Sequence, residues 1–207
     1  MMLVGFKANA EDEKSAVYTK YVAEVTSAFL KEVYQEYGFR CGGSGGSMPY
    51  DVEKISVSLD ANQSATVDQA RELVVKLTER FVQIINAHEK IRPFLREYPF
   101  PSSRARVMIS FSVSKKKINP SSDNEVELVF HAKKRIYYQA HNYDNPFLGK
   151  DIKDEPYEEA LKIVKTDVAK KETKQPFLLE ERTDESELAK KIRELRKSKG
   201  FSDGRTG

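Results

Sequence analysis

The chain has 207 residues and a formal net charge of +3, enough length for one core-forming domain with extensions but too weakly basic for charge alone to mark a polyanion-binding protein. A 39% hydrophobic fraction with eleven Phe and ten Tyr supports a core, whereas 32% charged residues and a mean hydropathy of −0.61 leave some segments solvated. A single cysteine, Cys41, excludes an internal disulfide framework and a cysteine-based zinc site, and no apolar run approaches the roughly 20 residues that span a bilayer.

Residues 1–13 read as a disordered terminus or a signal-peptide remnant. Ala8-Asn9-Ala10 ahead of Glu11-Asp12-Glu13 has the small–x–small form of a cleavage site, although only about six apolar residues and no basic region precede it. Export and a cytoplasmic location both stay open.

Residues 14–37 carry Tyr18, Val22, Val25, Phe29, Val33 and Tyr37 at helical spacing, with Gly38 as a stop signal. Gly42-Gly43-Ser44-Gly45-Gly46-Ser47 then reads as a loop: a flexible connector, a fusion linker, or a nest of backbone N–H groups that cradles an anion. The known phosphate-loop patterns do not fit, because these glycines follow a helix and precede a strand, without a Lys.

Residues 54–60 alternate strictly, with Ile55, Val57 and Leu59 on one side, and predict a half-buried strand. The longest helical pattern, residues 66–95, follows. Ala70, Leu73, Val74, Leu77, Phe81, Ile84, Ile85 and His88 share its face, Thr66 with Gln69 forms a capping box, and Pro93 ends it. After a proline-rich turn, residues 104–114 alternate as the clearest strand of the chain. A polar loop over 115–124 leads to a strand at 125–132, with Val126, Leu128, Phe130 and Ala132 taken as one apolar side. Ile136, Tyr138 and Ala140 continue in that phase, so Lys133-Lys134 reads equally as a turn or as mid-strand. Residues 142–153 read as a loop, and Glu155-Pro156 opens a helix ending near Lys171. Residues 172–207 form a charged extension with one helix at 183–199.

The expected fold is α+β: a two-layer α/β sandwich over residues 14–171, with a mixed sheet of three to four strands. Two long helices cover one face and the C-terminal helices are added. The strands at 54–60 and 104–114 should be parallel, joined by the central helix. That topology gathers Arg92, Arg96, Arg104, Arg106, Lys133, Lys134 and Arg135 at one end of the sheet, beside Gly43, Ser44, Gly45 and Cys41, as a candidate anion site. Cys41 is the candidate reactive thiol, with His88 placed toward the same end. His88 itself reads as a core histidine, and no spacing of His, Asp or Glu suits a metal.

The leading expectation is therefore a non-enzymatic binding or assembly module, with a protein or an anionic ligand as partner. No catalytic residue, cofactor or metal is expected. The alternative is an anion- or phosphate-binding domain, an enzyme included, using the Gly42–Ser47 loop and the basic end of the sheet. Nucleic acid is disfavoured, because Ser110, Ser112 and Ser114 stand where base-stacking aromatics would be needed.

Overall fold

The computed structural model describes residues 10–112, 125–141 and 149–173. Among the described residues the chain is α+β, with a mixed six-stranded sheet and three α-helices. The described residues up to Val164 form one compact unit, and the last turns of the third helix, from Lys165, belong to a second. The expected helix at 183–199 and the loop at 115–124 lie outside the described residues.

Helix α1 (Ala10–Tyr37) buries Tyr18, Val22, Val25, Phe29 and Val33 at the expected spacing. Gly38, at φ 71°, takes the left-handed conformation that ends it. Strand β1 (Arg40–Ser47) comes next, antiparallel to β2 (Lys54–Ala61). The short β3 (Ala65–Thr66) leads into helix α2 (Val67–Ala87), whose capping box is formed: Gln69 Oε1 accepts from the Thr66 N–H at 2.9 Å and Thr66 Oγ1 from the Gln69 N–H at 3.4 Å. Helix α2 ends at Ala87, short of Pro93, and Arg92–Phe94 forms a separate 3-10 turn. Strand β4 (Ala105–Phe111) then runs parallel to β2, as expected of a helical crossover. After β5 (Glu125–Val126), which pairs only with β3, the chain adds β6 (Leu128–Ala132), β7 (Arg135–Ala140) and β8 (Lys150–Pro156), each antiparallel to its neighbour, before helix α3 (Tyr157–Thr173). The sheet order is β1-β2-β4-β6-β7-β8.

Helix α2 packs against β4 and β6, and α1 against β1 and α2. The Phe29 and Phe81 rings, 4.6 Å apart, join the two helices. Beneath them Ile55, Val57, Leu59, Val107, Ile109, Val129, Ile136 and Tyr138 are buried, so the core lies between the sheet and its helices.

Four expectations need correction. The sheet has six strands, not three to four. The Gly42–Ser47 stretch is not a loop: it is the edge strand β1, held by pairing to β2. Glycine disfavours strands through its entropy, and here a close approach requires it, since a Cβ on Gly46 would lie 2.2 Å from the Lys54 carbonyl oxygen. The 142–153 segment is not all loop, because β8 begins at Lys150.

The fourth correction concerns β6, whose phase is inverted. Glu127 sits between β5 and β6, giving its N–H to Gln139 O (2.8 Å) and accepting from Phe111 N (2.7 Å). Beyond it Val129 and His131 point inward, while Leu128, Phe130 and Ala132 face out. Lys133 and Lys134, at φ 50° and 64°, form the two-residue turn to β7.

Candidate functional site

A cleft of about 720 Å³ opens at the end of the sheet where β2 and β4 begin, a size suited to a small ligand. Its walls are the 3-10 turn Ser102–Arg104, the first residue of β2, the Lys133-Lys134 turn and the start of α3. Each wall is anchored. Asn86, in the last turn of α2, donates to Phe100 O (3.0 Å) and accepts from Phe100 N (2.7 Å). Arg104 donates to the Glu53 carbonyl at 3.2 Å, and the Tyr157 N–H donates to Lys134 O at 2.9 Å.

His131 lines this cleft at 1% exposure, its ring stacked on Tyr157 with centroids 4.2 Å apart. Neither ring nitrogen reaches a partner at hydrogen-bonding geometry. Burial pushes its pKa down to about 4, and the nearby Ala105 backbone offsets this only in part. Burial, then the neighbouring Glu79 carboxylate, pushes the Tyr157 phenol up; its hydroxyl donates to Glu79 Oε1 at 2.9 Å.

The acidic groups of the cleft are mostly committed. Glu53 pairs with Arg96 (2.8 Å) and accepts from Ser47 Oγ (3.0 Å), and Glu97 pairs with Arg104 (3.2 Å). None of these pairs engages Lys54 or Lys134, so two lysines face one uncommitted carboxylate, Glu158.

The expected basic cluster is thereby divided. Arg104 and Lys134 reach the cleft, and Lys133 lies beside Lys134 on the exposed turn. Arg92 bonds Asn86 O at 3.1 Å and lies over the Tyr98 ring. Arg96 is held by Asp51 (3.0 Å) and Glu53, and Arg135 by Asp154 (2.6 Å). Arg106 faces the open side of the sheet instead, where it lines a shallow trough of about 190 Å³ with Gly43, Ser44, Gly45, Ser56, Ser58 and Met108.

Cys41 is exposed and pairs with Leu59, near the end of β2. The antiparallel course of β1 therefore carries it away from the cleft end. His88 caps the C-terminus of α2, with Nε2 3.1 Å from Glu24 Oε2 and Nδ1 accepting from Ile91 N. It is a rim residue, not a core one, and no Cys41–His88 pair forms.

Among the described residues no group of three or more His, Cys, Asp or Glu is arranged to hold a metal, and no helix is long and apolar enough to cross a membrane. No protein-family model matches the chain, and neither a curated protein nor a solved structure shows significant similarity to it.

Reasoning from sequence missed His131, Tyr157 and Lys54 as site residues. The usable signal was the hairpin. A two-residue turn pairs each even-numbered residue with an odd-numbered one, so Ile136 must share its face with His131, and Phe130 with Tyr137.

Proposed function

We propose that the chain is a non-enzymatic binding module whose ligand is a small phosphate- or carboxylate-bearing anion, received in the cleft at the start of β2 and β4. The observation that carries this reading is His131, a buried imidazole on the wall of that cleft whose ring nitrogens have the Ala105 backbone nearby but no partner at hydrogen-bonding geometry. An unpaired buried polar group costs about 1–3 kcal/mol, a cost that a ligand able to hydrogen-bond the ring removes. Lys54 and Lys134 supply the complementary charge, and the Ser102 and Ser103 side chains lie at the same mouth. Binding is favoured over catalysis by proton affinity: with a pKa near 4, His131 is a weak base at neutral pH, and the raised Tyr157 phenol is a weak acid.

The test is calorimetric titration of the full chain with inorganic phosphate and with citrate at low salt. Binding of at least one is expected, weakened about tenfold by Lys134→Ala and by Lys54→Ala, as for loss of one charge-assisted hydrogen bond. His131→Phe should bind less and melt higher, because the same nitrogens that serve the ligand burden the fold. No heat with either anion, or affinity unmoved by all three substitutions, would end the proposal.

A further inference from the structure

We infer that the anion is the phosphate of a single-stranded nucleic acid, whose base lies over the trough on the open face of the sheet. This rests on the anion site proposed above. The cleft and the trough follow one another along two strands. Lys54 lines the cleft, while Ser56 and Ser58, on the same face of β2, line the trough. Arg104 lines the cleft, while Arg106 and Met108 line the trough. Successive same-face residues of a strand are about 7 Å apart, a step comparable with that between the phosphate and the base of one nucleotide.

The trough suits a flat ring. Gly43 and Gly45 border it opposite Ser58 and Ser56, and nothing lies within 4 Å of where a Cβ on either glycine would stand. A planar group can therefore rest on bare β1 backbone. Its far wall is Arg106, whose buried Nε has no partner and whose guanidinium lies 5.2 Å over the Phe130 ring. Phe130 in turn stacks on Tyr137, centroids 5.1 Å apart and planes 18° apart.

Arginine, phenylalanine and tyrosine thus form one stack across three adjacent strands, as in proteins that hold unpaired bases. Of the serines that argued against nucleic acid, Ser110 lies in β4, but the inverted phase of β6 brings Phe130 to the open face beside Tyr137. A stack longer than one ring selects a strand over a lone nucleotide. A second copy of the chain fits poorly, because its β1 would offer glycines to a trough that calls for side chains or rings. An acidic peptide would answer Arg106 but leave the flat trough unfilled.

Fluorescence anisotropy with fluorescein-labelled 12-mers of deoxythymidine and of uridine, at low salt, tests this on the full chain. At least one 12-mer is expected to bind ten times or more tighter than uridine monophosphate, and to weaken as salt is raised. Gly45→Val, which fills the trough where no atom opposes it, and Tyr137→Ala should each weaken the 12-mer about tenfold and leave inorganic phosphate affinity in place. Phosphate binding without any gain for the 12-mers overturns the strand and spares the anion site. Equal affinity for hexaglutamate, or a Gly45→Val variant that binds the 12-mers unchanged, overturns it as well.

Discussion

At the scale of single residues, His131 is the group whose environment most departs from water. Its pKa near 4 in the fold, against 6.5 as the ordinary value, means that the unfolded chain holds a proton the folded one does not between those limits. Stability therefore falls as pH drops from about 6.5 to about 4, by up to about 3 kcal/mol once the window is crossed. His131→Phe should abolish that loss and flatten the melting temperature between pH 7 and pH 5. A variant that keeps the wild-type slope would mean that His131 is not the group responsible. From sequence, His131 sits among the polar residues of an alternating strand. Alternation alone does not reveal that Glu127 shifts the register and turns the imidazole inward; only a two-residue turn at Lys133-Lys134 does, by setting His131 on the face of Ile136.

Among the elements, β1 is the one least expected. The spacing of Ile55, Val57 and Leu59, or of Val107 and Ile109, declares a half-buried strand through its own side chains. The series Gly42-Gly43-Ser44-Gly45-Gly46 has no apolar side chain to declare a strand, and its strand exists through pairing to β2. Strand β8 is illegible for a related reason: in Lys150–Pro156 only Glu155 is buried, so no apolar alternation exists to read. The glycines of β1 are nevertheless not equivalent. Gly46→Ala drives a methyl against the Lys54 carbonyl and should cost about 1–3 kcal/mol, as overpacking does. Gly45→Ala meets nothing and should stabilise by about 0.4–1 kcal/mol through the unfolded chain. Urea unfolding of the two variants side by side checks this, and equal midpoints would show that the β1–β2 approach is looser than described.

For the molecule as a whole, the crossover through α2 and the sheet–helix layering were legible from periodicity, while the link that ties α2 to β8 was not. Arg71 and Glu155, each 7% exposed, meet through two hydrogen bonds of 2.6 and 3.2 Å. Tyr138 also donates to Glu155, Lys153 lies 3.2 Å from its second oxygen, and Asp68 pairs with Arg71. Burial alone would raise the Glu155 carboxyl, but the bonds from Arg71, Tyr138 and Lys153 outweigh it and hold the carboxyl below its ordinary value. Its contribution is present above pH 4.5 and is lost as pH falls lower, a window below that of His131. Glu155→Leu strands the Arg71 guanidinium and should cost about 3–5 kcal/mol, whereas adding Arg71→Met should recover most of it. Denaturant melts of the single and double variants decide the matter; a double variant no more stable than Glu155→Leu would show that the cost does not come from the stranded guanidinium.

The two ends of that buried ion pair lie 84 positions apart along the chain. At a translation rate of about 5–20 residues per second, the guanidinium waits several seconds or more on the ribosome before its carboxylate is made. Until then α2 can lie on the nascent sheet only with Arg71 still hydrated, so closure over β7 and β8 waits for Glu155 to be made. The edge of β7, complete at Ala140, stays uncovered until β8 has been made.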